Sequence, residues 1–208
     1  MPFLVASCAL QLAYFALLAA AYRRADLSVV YPLARGLAPV FVLVGAIVFT
    51  GASTSAMQTV GVLLVTCGIL FVRGLRRGHG FGFGIAIALL IAAYTVVDKH
   101  GIAHASPLAY VWVITLLPGL AYAATRRRDA LRSAFGPRAV IAGVASFAAY
   151  GLVLAALKLA PAASVAAVRE SSVVIATALA AVFLKERVTA LRLAGAFLVV
   201  GGVILLGA

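Results

Sequence analysis

Two stretches decide the fold: residues 28–50, SVVYPLARGLAPVFVLVGAIVFT, and residues 162–184, AASVAAVRESSVVIATALAAVFL. Both are apolar over the length that a helix needs to cross a bilayer, about 20 residues. Each carries an arginine at its eighth position, Arg35 and Arg169, which stand 134 residues apart. Outward from this pair lie six more apolar runs, at 3–22, 55–72, 81–98, 107–124, 139–157 and 190–207. In chain order the eight runs are spans a to h, and the quoted pair are b and g.

The composition agrees with this pattern. The 208 residues are 65% hydrophobic and 11% charged, with a mean hydropathy of +1.18. A soluble domain is about 45–50% apolar and about 25% charged, and a disordered chain is less apolar still. The expectation is an all-α polytopic membrane protein of about eight transmembrane helices in the cell (inner) membrane. No basic residue precedes the apolar run at 3–22, and the run is too long for a signal sequence, so it reads as a membrane helix. The Leu4–Cys8 string resembles a lipoprotein cleavage site but lies too close to the start.

Seventeen Lys and Arg against five Asp and Glu give a net charge of +12. No basic stretch is interleaved with aromatics, so nucleic-acid binding is not expected. The charge has a topological explanation instead. The loops a–b, c–d, e–f and g–h hold thirteen basic residues, from Arg23 and Arg24 to Arg192, while the opposite side holds Lys99 and Lys158. The positive-inside rule places the Arg-rich loops in the cytoplasm and both chain ends outside. The 126–138 loop has room for a short surface helix.

Cys8 and Cys67 lie inside apolar runs, and two cysteines cannot build a structural zinc site. His100 and His104 have i,i+4 spacing, but Gly101 and the Ser106-Pro107 pair place them in a loop. No metal and no cofactor are expected. Gly78-His79-Gly80-Phe81-Gly82 is not followed by the Gly-Lys-Ser/Thr of a phosphate loop, so this chain alone does not drive transport with ATP. With no nucleophile–base pair and no metal cluster, an enzyme is not expected.

The offset of 134 that pairs Arg35 with Arg169 also pairs Phe49 with Phe183, Gly61 with Gly195, and Gly68 with Gly202. An offset of 136 pairs Tyr14 with Tyr150 and Ser28-Val29 with Ser164-Val165. Span f follows span a by five helices, an odd number, so the repeats point in opposite directions. That is the inverted repeat of many secondary transporters. The first repeat is residues 1–74 with three helices, and the second is 81–208 with five. Spans d and e have no counterpart in the first repeat. The expectation is an N-terminally shortened form of a ten-helix protein.

Three strings carry a resemblance: AYFALLAAAYRRADLSVVYPLARGLAPV (13–40), AAYTVVDKHG (92–101) followed by SPLAY (106–110), and the stretch from Leu157 to Leu206. Together they resemble an EamA-type transporter of the drug/metabolite transporter superfamily. The resemblance implies a 5+5 inverted-repeat helical fold, here incomplete, that exports small metabolites, amino acids or drugs. The chain departs from the pattern in three ways. The first two helices are absent. Lys185-Glu186-Arg187 has no charged equivalent after span b. Family members are generally drawn with both ends in the cytoplasm, against the charge count.

An ionisable side chain at the centre of a membrane helix costs about 2.5–3.5 kcal/mol on insertion scales and needs a reason. Arg35 and Arg169 read either as a pair facing a central cavity, able to hold a carboxylate or phosphate, or as structural partners of Glu170. Glu170 reads as a proton-coupling acid, since a carboxyl in a low-dielectric site can load and release a proton near neutral pH. Pro32 and Pro39 flank Arg35 and mark either a broken helix or an ordinary kink, as does Pro118 in span e. Polar side chains share faces at Ser7, Gln11 and Tyr14; at Tyr94, Thr95 and Asp98; at Ser146 and Tyr150; and at Glu170 and Thr177. They suit a polar cavity or interhelical hydrogen bonds worth about 0.6 kcal/mol each. Asp98 fits either that interior or the membrane surface beside Lys99. The candidates for substrate binding or proton coupling are Arg169, Glu170, Arg35, Gln11, Tyr14, Asp98, Tyr94 and Tyr150. The expected function is proton-coupled export of a small molecule by alternating access. The alternative is a truncated, non-transporting remnant or a subunit of a larger membrane assembly. The expected partners are the lipid bilayer and a small-molecule substrate; a homodimer is left open.

Overall fold

In hydrocarbon a chain has no water to satisfy its N–H and C=O groups, so the apolar runs must bond within themselves as helices. The computed structural model describes residues 2–73, 79–126, 131, 135–183 and 189–207, and there the runs are helical. In order they are α1 (Pro2–Arg24), α2 (Leu27–Thr50), α3 (Ala56–Arg73), α4 (Phe81–Gly101), a 3-10 turn (Ile102–His104), α5 (Pro107–Ala124), α6 (Pro137–Leu159), α7 (Ala162–Arg169), α8 (Ser171–Phe183) and α9 (Ala190–Gly207). Six of them are long and apolar enough to cross a membrane: α1, α2, α4, α5, α6 and α9. α3 is a shorter apolar helix. The protein is an all-α polytopic membrane protein. Its outer faces are apolar, with Phe49 84% exposed, as lipid contact requires.

Local chemistry sets the ends of these helices. Gly51 closes α2 at φ 63°, the left-handed conformation that glycine adopts without penalty. Ser106 opens α5, its hydroxyl accepting from the Ala109 N–H at 3.2 Å, with Pro107 in the first turn. Asp26 donates its N–H to the His79 carbonyl at 2.9 Å and so fixes the start of α2 to the start of α4.

Three details differ from the expectations, and one decides between two of them. Span g is not one helix: it breaks at Glu170 into α7 and α8. There the Glu170 N–H bonds to the Ala167 carbonyl and the Val173 N–H to the Glu170 carbonyl, each at 3.0 Å and each reaching back three residues rather than four. Such 3-10 tightening inside a helix often marks a hinge. α2, by contrast, runs through Pro32 and Pro39 without interruption, because surrounding helices tolerate the lost backbone bonds. His100 belongs to the last turn of α4, with Nδ1 2.9 Å from the Val96 carbonyl, and His104 belongs to the 3-10 turn. α6 begins two residues earlier than its apolar run, with Pro137 in its first turn. Most of the 126–138 loop, and Arg76, Arg77 and Lys185-Glu186-Arg187, lie outside the described residues.

α3 and α9 pack antiparallel through glycines. A Cβ on Gly68 would stand 2.6 Å from the Gly195 carbonyl, and one on Gly195 would stand 2.6 Å from the Gly68 carbonyl. A Cβ on Gly202 would meet the Gly61 carbonyl at 2.7 Å. Small residues let membrane helices approach closely enough for dispersion to hold them. Gly68→Val is therefore expected to force the two backbones apart and destabilise the protein by about 1–3 kcal/mol. A fall in the midpoint of thermal unfolding in detergent reads this out; an unchanged midpoint would mean the close approach is absent.

α2 packs parallel to α4, where Gly84 admits Leu33. α1 crosses α4 and α5, and α6 completes the group. Two buried apolar clusters result. One centres on Val42, Val62, Ile69, Ile114 and Leu154. The other centres on Val30, Ala34, Ile87 and Ile91. Tyr150 packs against both, and the polar side chains gather around it.

Candidate substrate-binding site

The break in span g delivers Glu170 to the interior. Its side chain is fully buried and accepts from two arginines: Arg35 Nη1 on α2 at 3.1 Å and Arg169 Nε at 3.4 Å, both to Oε1. The arginines are partly open, 29% exposed for Arg35 and 15% for Arg169. Two guanidinium groups against one carboxylate leave the trio with one net positive charge. Two of its polar atoms, Arg169 Nη2 and Glu170 Oε2, are buried without a hydrogen-bond partner.

Arg35 and Arg169 form part of the wall of a cavity of about 880 Å³. Gln11 and Tyr14 of α1, Tyr94 of α4 and Tyr150 of α6 line it as well. Six of the eight sequence candidates therefore border one space. Tyr94 stands between the other two tyrosines, with its ring edge-on to Tyr14 at 5.9 Å and to Tyr150 at 6.1 Å. Ser146 also lines the cavity. Thr95 does not, since its hydroxyl donates to the Ile91 carbonyl of its own helix at 2.6 Å. The side chain of Thr177 lies outside the described residues.

Asp98 is not at the membrane surface. It is fully buried and accepts from three hydroxyls on three other helices: Ser7 at 2.5 Å, Tyr110 at 3.0 Å and Tyr150 at 2.5 Å. Tyr150 thus joins the cavity to a second buried acid behind it. Lys99, the next residue, turns away from Asp98. Its ammonium donates to the Leu157 and Ala160 carbonyls at 2.5 and 2.9 Å and so caps the C-terminal end of α6.

Sequence reasoning missed several lining residues. Trp112 and Phe147 line the cavity with their rings tilted at 54° and centroids 4.7 Å apart, and Thr115 and Ser172 add hydroxyls. Ser172 had a signal, its place in the Arg-Glu-Ser-Ser string. Trp112 had a weaker one, as the single tryptophan of the chain. Tyr110 had none, since a tyrosine near a helix start is equally common at a membrane interface.

A bundle of apolar helices around a cavity lined by arginines and tyrosines defines the class: an integral membrane protein with a polar interior. The EamA-like transporter family matches residues 79–208, well over half the chain. No curated protein matches it. The chain belongs to the EamA-like transporter family, and is thus a membrane transporter of the drug/metabolite transporter superfamily. That membership points to transport rather than catalysis.

Proposed function

We propose that the protein is a secondary transporter that exports a small molecule across the inner membrane by alternating access, coupled to protons through Glu170. The observation that carries this reading is the position of Glu170: at the break of a membrane helix, fully buried, and bound to two arginines of the cavity wall. Interrupted helices and buried acids are the usual materials of coupled transport. Asp98, linked to the cavity through Tyr150, is the second acid available to the cycle.

Two geometric features support an inverted repeat of 1–74 and 81–208. Arg35 and Arg169, equivalent at the 134-residue offset, meet on one carboxylate. Gly61 and Gly68, equivalent to Gly195 and Gly202, pack crosswise: Gly61 on Gly202 and Gly68 on Gly195. A two-fold axis requires that reciprocity. The family match begins at residue 79, beside the start of the second repeat.

The Arg-rich loops are cytoplasmic in this reading. On α6 the cavity lining runs from Gly143 to Val153, the middle of the helix.

Purified protein in vesicles loaded with a pH-sensitive dye tests the coupling. Carboxylates, amino acids and amphiphilic amines would be offered in turn. At least one solute is expected to drive proton movement, and Glu170→Gln is expected to abolish it. Solute flux with the same pH dependence in Glu170→Gln as in the parent overturns the coupling role.

A further inference from the structure

We propose that the cavity is specific for organic monoanions, with a carboxylate head group held by Arg169 and a flat aromatic body held by the aromatic side chains around it. The proposal rests on the transporter reading and names the substrate class that reading leaves open.

The charge balance comes first. Glu170 is fully buried and already accepts from both arginines through one oxygen. One positive charge remains. Arg169 Nη2 and Glu170 Oε2 are both buried without a partner, while the rest of the Arg169 side chain is 15% exposed on the cavity wall. A carboxylate that enters the cavity and meets the open part of Arg169 supplies the missing charge. A dianion such as a phosphate monoester overshoots by one charge. A cation would add a second uncompensated positive charge. Asp98 offers a cation nothing, because its two oxygens already accept three hydroxyls and it does not line the cavity.

The second observation is the shape and chemistry of the walls. Tyr14, Tyr94 and Tyr150 form an edge-on row, and Trp112 with Phe147 forms a second pair, its rings tilted at 54° with centroids 4.7 Å apart. Flat faces and ring edges at these spacings suit offset or edge-on contact with another ring. An aliphatic acid of equal charge would satisfy Arg169 but leave that surface unused. The volume, about 880 Å³, is within the range of small-molecule sites.

Trp112 supplies the test, because it lines the cavity and is the only tryptophan. Its fluorescence in the detergent-solubilised full chain would be titrated with four quenchers that share a nitrophenyl ring: 4-nitrophenylacetate, its neutral amide, 4-nitrophenethylammonium and 4-nitrophenyl phosphate. A free tryptophan derivative corrects for absorption by the quencher. The carboxylate is expected to quench saturably, at least 10-fold more tightly than each of the other three. Arg169→Gln should remove most of that 10-fold preference while leaving the affinity for the amide unchanged, which also shows that the cavity still forms. Arg169→Lys should keep part of the preference.

Saturable quenching that is tighter for the ammonium, the amide or the phosphate overturns the monoanion class and leaves the transporter reading standing. An unchanged carboxylate preference in Arg169→Gln overturns the role of Arg169. No saturable quenching by any of the four, in protein that unfolds cooperatively, overturns both this proposal and the assignment of the cavity as a substrate site.

Discussion

Glu170→Gln is expected to insert normally, yet to lose about 3–5 kcal/mol of stability, the range for breaking a buried ion pair by removing one partner. Insertion depends on the apolar runs, which the substitution does not touch. Stability depends on what the two arginines face once the carboxylate is gone. Arg35 and Arg169 would then lie close together with like charge, and a neutral amide can accept only weakly from them. Their partial exposure, 29% and 15%, lets solvent offset part of the repulsion, so the lower half of the range is the better expectation. The two arginines do not contribute equally. Arg169 precedes Glu170 in sequence, so its contact is local. Arg35 reaches from α2 at 3.1 Å and makes the tertiary link. Glu170→Gln combined with Arg35→Gln should therefore recover much of the loss, and the double-mutant cycle should show strong coupling. Thermal or chemical unfolding in detergent measures both. A loss under about 1 kcal/mol, with no coupling to Arg35, would mean the three-way bridge is not formed.

This trio shows what the sequence could and could not convey. The eight apolar runs returned as helical segments, because hydrophobic length is a strong physical signal in a membrane. The meeting of Arg35 and Arg169 was legible in outline, since each stands at the eighth position of its apolar run. The break at Glu170 was not. Proline is the usual marker of a break, yet α2 carries two prolines and runs on, as an ordinary kink allows, while span g breaks where there is neither proline nor glycine. The break falls at the residue that makes the tertiary ion pair, which local propensity does not encode. Asp98 was ambiguous for a similar reason. Its position near the end of a span fitted an interfacial residue, and only the arrival of hydroxyls from α1, α5 and α6 makes it interior. The aromatic pair of Trp112 and Phe147 lay in ordinary apolar runs, where nothing separates a lipid-facing ring from a cavity-facing one.

Asp98→Leu is expected to destabilise the protein by about 2–6 kcal/mol more than Asp98→Asn, an estimate set by the cost of leaving buried hydroxyls unpaired. Both substitutions remove the same charge, so the desolvation that a buried carboxylate suffers cancels from the comparison. What remains is the fate of the donors. Asn keeps one acceptor oxygen, and its amide can donate to a tyrosine hydroxyl that turns round to accept, so the network can rearrange. Leu accepts nothing. Tyr150 borders the cavity, where water can reach its hydroxyl. Ser7 and Tyr110 have no such outlet, being 0% and 1% exposed. Two orphaned hydroxyls at about 1–3 kcal/mol each give the stated difference. Removing both partners of a hydrogen bond costs far less than removing one, so Ser7→Ala with Tyr110→Phe in the Asp98→Leu background should restore stability toward that of Asp98→Asn. In the parent the same pair should be harmful. A sign that reverses with the residue at position 98 is the mark of a satisfied polar network. If the pair has the same effect in both backgrounds, the three helices are held together by apolar packing alone, and Asp98 is free for another role in the transport cycle.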